Sequence, residues 1–315
     1  MARFYSEQGY WTDAISSYEA LLARHPDNEQ APFFQAEIAS AYEGLGDQAA
    51  ATEAREELVE KYGTGSEWAE AVGGEAATAA VDSLRGQSLQ QAIGFYYTKA
   101  QETADESPEQ SRSYYNQLIP RVESYLSEFG NTREAYDFKF LLGDAYYALG
   151  RYVQAGDTYM DVGADSISAQ RRQDAANNAW SAYMIAYNEQ SGVDSAQLRS
   201  KQVEAANFYV DNFPDGENAA RFLFGVAGNL YNAKDYAGSR QMYERIYNEY
   251  SNSEYVARSA RFIAATYEAE EMYSEAEDWY GRASQAVART GEDLGEDFDQ
   301  LAAAAAYRDA ETLAE

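Results

Sequence analysis

Cysteine is absent from this 315-residue sequence, histidine occurs once, and lysine and proline five times each. Without a thiol there is no disulfide framework, no thiolate metal site and no cysteine nucleophile. The lone His25 lies in Arg24-His25-Pro26-Asp27 with no nucleophile fixed beside it, so it reads as an exposed turn residue rather than a catalytic base. No apolar run approaches the ~18 to 20 residues of a membrane span, and no signal-peptide core follows Met1, so no direct membrane span is expected. Positive charge is scarce as well: 24 Lys and Arg face 53 Asp and Glu, for a net charge of −29 and a pI near 4.3. A nucleic-acid backbone rewards clustered cations through counterion release, and an anionic lipid surface does the same, so neither is an expected partner. The phosphate-binding patterns GxGxxG and GxxxxGK[ST] and the nucleophile pattern GxSxG are missing, and Gly63-Thr64-Gly65-Ser66 reads as a turn followed by a helix cap. No alternating β-branched run of useful length occurs, which excludes a sheet and leaves an all-α chain.

What the sequence does have is buryable surface. Apolar residues make up 45%, and 28 Tyr, 13 Phe and 4 Trp are too many for a disordered chain. Among the 24 cations only five are Lys. An acidic, arginine-over-lysine surface fits adaptation to high salt, where bulk ions screen self-repulsion. Ordinary acidic solubility is the other reading.

One pattern recurs along the chain. In its best copy, Gly143 is followed by Tyr146, Gly150, Tyr152, Ala155, Tyr159 and Val162. Near the start, Ala2, Tyr5, Gly9, Trp11, Ala14, Tyr18, Leu21 and Pro26 take the same relative places. A second copy keeps Ala39, Tyr42, Gly46, Ala51 and Leu58 but has Gln48 and Arg55 where aromatics are expected. Two later copies carry Ala227, Tyr236, Tyr243 and Ile246, then Ala264, Tyr267, Tyr273, Ala276, Tyr280 and Ala283, with Lys234 and Glu271 at the turn position. The small residues let paired helices approach, the aromatics fill the gaps beside them, and the turn glycine adopts a left-handed conformation.

This order resembles the tetratricopeptide repeat (TPR), a helix-turn-helix unit of about 34 residues. The resemblance implies a right-handed superhelical solenoid of antiparallel helix pairs, each unit burying its core only against its neighbours. Expected boundaries are two repeats over 1–65 with the first helix truncated, a degenerate unit with long helices over 66–130, and a repeat over 131–169. A degenerate unit over 170–214, two repeats over 215–290 and the start of a further unit over 291–315 complete the chain. Within the first degenerate unit, capping boxes at Ser88-Leu89-Gln90-Gln91 and Ser107-Pro108-Glu109-Gln110 predict helix starts, and Pro120 predicts a kink. In the second, residues 190–194 are the expected connection. The uncapped ends, including the apolar run 301–307, predict a fragment of a longer protein or self-association through those ends.

Catalytic chemistry finds no foothold. Carboxylate pairs cannot be singled out among so many acids, and the acidic run 291–299 lacks the order of an EF-hand loop. No catalytic residue, cofactor or metal is expected. In the resembling family the first helices line a concave face, which places ligand contacts here at Asp137, Phe140, Asp144 and Tyr147, at Arg221, Phe224 and Tyr231, and at Arg258, Arg261 and Phe262. The Lys and Asn clamp with which some TPR domains hold a terminal carboxylate is not matched. The resemblance therefore implies a noncatalytic protein-interaction scaffold that takes an apolar or basic segment of a protein or peptide partner. The helical region of a larger enzyme, for example one acting on cell-wall glycan, and a glycan-binding module are the alternatives. Residues 31–38, 53–63 and 66–68 are similar to TPR proteins of Gram-negative, deltaproteobacterial envelopes, so the cell envelope, and within it the periplasm, is the expected setting, with the cytoplasm left open.

Overall fold

The computed structural model describes residues 1–165, 168–189, 195–291 and 294–314, so the expected connection at 190–194 lies outside the described residues. Among those described there are sixteen helices and no strand. They divide into two compact units, Met1–Arg151 and Tyr152–Glu315, with the division falling inside the 131–169 segment.

The first unit holds α1 (Ala2–Glu7), α2 (Trp11–Arg24), α3 (Ala31–Gly44), α4 (Gln48–Lys61), α5 (Glu67–Val72), α6 (Glu75–Glu102), α7 (Pro108–Phe129) and α8 (Arg133–Ala148). The second holds α9 (Tyr152–Asp165), α10 (Ala169–Asn188), α11 (Ser195–Asn212), α12 (Ala219–Asn232), α13 (Tyr236–Glu249), α14 (Val256–Ala269), α15 (Tyr273–Thr290) and α16 (Phe298–Ala314). Within each unit, helices consecutive in sequence pack against one another, as the repeat pattern implies, except that α4 packs on α6 rather than on the short α5. Ala14, Ala51, Ala227, Ala264 and Ala276 have no exposed surface and Ala39 almost none, so the small positions are the close contacts between helices. Gly44 shows how close: a Cβ there would stand 2.4 Å from the indole of Trp11.

The turns repeat in atomic detail. The carbonyls of Tyr5, Tyr42, Tyr146, Leu230 and Tyr267 each accept a backbone N–H from the residue five positions later, at 2.8–2.9 Å. That is the long bond of a Schellman ending, and it requires a left-handed residue just before the donor. Gly9, Gly46 and Gly150 supply it with φ of 74°, 79° and 75°, whereas Lys234 and Glu271 are forced to φ of 62°. The next helix then starts under an aspartate in two copies, Asp47 accepting from the Ala50 N–H and Asp235 from the Gly238 N–H, both at 3.0 Å. A left-handed non-glycine residue costs about 1–2 kcal/mol, and glycine's extra unfolded entropy returns about 0.5–1. Lys234→Gly and Glu271→Gly should each therefore stabilise the second unit by about 0.5–1 kcal/mol in urea unfolding. A loss at both positions would show that the turns are not held in this conformation.

One local expectation is corrected. No helix begins at Ser88, which is buried in the middle of the 28-residue α6. The Ala-rich stretch before it, from Ala76 to Val81, is itself a strong helix former and carries the helix through. Ser107 does stand at the N-cap of α7 with Pro108 at the first position, and Pro120 lies inside that helix. The weak second repeat also has an explanation. Arg55, in an aromatic's place, is buried and pairs with Glu43, so a charge pair fills the space a ring fills elsewhere.

Arginines are matched to acids across helices in the same way, Arg85 with Glu128 and Arg245 with Asp211, and Arg261 of α14 pairs with Glu296 in the segment before α16. The surplus of 53 acids over 24 cations leaves many carboxylates with no cation to match them, and their charges repel. Salt weakens both the pairs and the repulsion, but exposed pairs contribute little each and the net charge is large, so screening of the repulsion wins. The melting temperature should rise from low to molar sodium chloride, by about 2–4 °C for each kcal/mol gained. A flat or falling curve sinks the salt-adaptation reading.

Candidate partner-binding face

The ten residues expected to contact a ligand fall on three helices, α8 in the first unit and α12 and α14 in the second. On α8, Asp137 and Tyr147 are exposed, and Asp144 is half-buried and accepts a hydrogen bond from the Tyr97 hydroxyl at 3.3 Å. Phe140 does not fit the expectation: it is only 8% exposed. It lies three and six residues before Gly143 and Tyr146, both buried, so it continues the packing stripe of α8. A ring so covered belongs to the core and offers a ligand little surface.

The α12 and α14 residues do come together. Phe224 and Tyr231, two turns apart on α12, both reach Phe262 on α14, with ring centroids 5.9 and 6.0 Å away in edge-to-face arrangements. All three rings are half-buried. Beneath them Tyr243 of α13, 1% exposed, stacks on Phe262 at 5.4 Å and meets Phe224 edge-on at 5.3 Å. Burial pushes the Tyr243 phenol well above its ordinary pKa, so it stays neutral as the floor of this face. Tyr255, just before α14, closes one side against Phe224 at 5.0 Å. It escaped the sequence reading because it precedes its helix, although its seven-residue spacing from Phe262 equals two turns and was the available signal.

The three arginines differ. Arg221 is exposed and lies over the rings of Phe222 and Trp180, 5.4 and 5.9 Å from the centroids. Arg258 is half-buried on α14. Arg261 is clamped by both carboxylate oxygens of Glu296 at 3.0 Å, and its guanidinium also covers Phe262 at 4.8 Å. Hydrogen bonding to Glu296 outweighs burial and holds the Arg261 pKa above its ordinary value. Arg261 thus orients the ring beside it and is already matched by an acid.

The arrangement offers aromatic contact area with a polar rim. Among the described residues no group of three or more His, Asp or Glu side chains is placed to hold a metal ion, and no helix is long and apolar enough to cross a membrane. Glu292 and Asp293 of the acidic run lie outside the described residues, while Glu296 from the same run is the partner of Arg261. His25, at the C-terminal cap of α2, is exposed.

Residues 1–32 match the family model described as tetratricopeptide repeat. The match spans α1 and α2, where the first copy of the sequence pattern lies. No curated protein matches the chain. Among solved structures the TPR domain of P58(IPK) is similar over 99% of this chain and 97% of that one, at 12% sequence identity and a TM-score of 0.27.

Proposed function

We propose that this protein is a noncatalytic scaffold that holds an apolar or basic segment of a partner protein against the α12 and α14 face, within a cell-envelope assembly. TPR arrays generally serve protein–protein interaction. The observation that carries the proposal here is the cluster of Phe224, Tyr231 and Phe262, half-buried rings gathered from two helices, with Phe224 and Tyr231 each within 6.0 Å of Phe262. Partially exposed aromatics at a packed floor supply large contact area at small entropic cost and are the side chains on which binding energy concentrates. The acid surplus of the chain adds long-range attraction for a basic segment and speeds its arrival. The periplasmic setting rests on the envelope-like segments between residues 31 and 68. The experiment is capture with the intact chain from envelope and cytosolic extracts, in parallel with a chain altered at the three rings. A partner taken from the envelope extract by the first chain and lost by the second supports both parts. Equal capture by both chains refutes the face, and capture from the cytosolic extract alone refutes the setting.

A further inference from the structure

The first unit contains a second kind of site. Between α4, α6 and α7 lies a cleft of about 620 Å³, within the size range of small-molecule pockets. Two arginines look into it in a chain that has few cations. The Arg85 side chain is only 5% exposed, and it donates to the Val59 carbonyl at 3.5 Å, to Asp82 at 3.2 Å and to Glu128 at 2.6 Å. Arg121 donates to Glu56, to the Gln117 carbonyl at 2.6 Å and to the Tyr96 hydroxyl at 3.1 Å, and stacks on the Tyr96 ring at 4.1 Å. A guanidinium has five N–H groups, so each of the two retains N–H donors with no protein acceptor among the described residues. Space for this is built into the backbone: a Cβ on Gly63 would stand 2.8 Å from the Arg85 guanidinium.

The charges around the cleft decide what it takes. Glu56 and Glu128 are paired with the arginines, whereas Glu60, also in the lining, is exposed and has no ion-pair partner among the described residues. A simple anion would meet free guanidinium donors but also an unpaired carboxylate and the field of a chain at −29. A simple cation would satisfy Glu60 and leave those donors empty. Only a ligand that carries both signs with an excess of positive charge answers both.

We propose that this cleft binds a basic α-amino acid or a short peptide ending in one, its carboxylate on Arg85 and Arg121 and its side-chain cation against Glu60. The apolar walls formed by Val59, Leu89 and Pro120 accommodate the aliphatic stem between those ends. The site lies in the first unit, independent of the aromatic face assigned to the partner.

Titration calorimetry of the intact chain with L-arginine, with the tripeptide Gly-Gly-Arg and with arginine amide tests it. Arginine or the tripeptide should bind with Kd at or below about 1 mM, and the one that binds tells a free amino acid from a peptide terminus. Arginine amide, which lacks the carboxylate, should bind about tenfold more weakly or worse, because a charge-assisted bidentate contact is lost. Glu60→Gln, at an exposed position that supports no contact in the fold, should weaken binding about threefold or more. Ser124→Trp, which fills the cleft from α7 without removing a charge, should abolish binding at an unchanged melting temperature. Binding of neither ligand, equal binding of the amide, or undiminished binding by either variant overturns the proposal. Variants at Phe224, Tyr231 and Phe262 should bind arginine as the parent chain does.

Discussion

Phe222→Ala should destabilise the second unit by about 3–5 kcal/mol, the range for emptying a large aromatic from a packed core. Phe222 has no exposed surface. Its ring lies flat on Trp180, with centroids 4.2 Å apart and planes 13° apart, and edge-on to Tyr209 at 4.9 Å. Neither neighbour is free to collapse into the space. Tyr209 is fixed by the Gln173 side chain, 3.1 Å from its hydroxyl, and by Gly216, where a Cβ would stand 2.4 Å from the same oxygen. Trp180 is pinned by Gly225, where a Cβ would come within 2.9 Å of the indole. The cavity should therefore stay open, and the cost should lie toward the upper end of the range. Urea unfolding should show a lower midpoint at an unchanged slope. His25→Ala, at an exposed cap, should be near neutral by the same measurement. A loss below about 1 kcal/mol for Phe222→Ala would mean that α10, α11 and α12 do not meet as described.

The parts of this architecture that sequence made legible are those set by neighbours in the chain. The turn at Gly9 requires a left-handed residue and a donor one place later, both within six residues, so its pattern could be followed to Gly46 and Gly150 and even through the misfit residues Lys234 and Glu271. The buried alanines followed from the same register. What failed was local evidence overruled by context. The Ser88 box has the right residues for a helix start, but a box cannot know that a helix already runs through it. Phe140 failed for a different reason: lying three and six residues before Gly143 and Tyr146 it shares their buried stripe, whereas the family's groove positions had set it beside that stripe. The cleft in the first unit was illegible because its defining pairs join residues far apart in sequence, 43 positions for Arg85 with Glu128 and 65 for Arg121 with Glu56. The clamp of Glu296 on Arg261 spans 35 and escaped for the same reason. Tertiary pairing of charges has no sequence period, whereas helix packing does.

Loss of the aromatic face should cost binding without costing the fold, and the design of the variants follows from how each ring is held. Tyr231 reaches Tyr236 at 5.5 Å and Phe262 at 6.0 Å and lies outside the buried core cluster, so Tyr231→Ala removes contact area at small structural cost. Phe224 and Phe262 lean on that cluster through Tyr243, so alanine there would mix binding with stability. Leucine keeps most of the buried volume and removes the aromatic surface, at an expected cost below about 1.5 kcal/mol each. The triple change Phe224→Leu, Tyr231→Ala and Phe262→Leu should thus leave helicity intact and the melting temperature lower by only a few degrees. Affinity for the captured partner should fall more than about tenfold, as loss of clustered anchors implies, with most of the change in the dissociation rate. Raising salt should slow association of the parent and altered chains alike, because the acid surplus that steers a basic segment is untouched by these changes. Affinity that survives the triple change at an intact fold would show that these rings serve the core alone and that the partner docks elsewhere on the array.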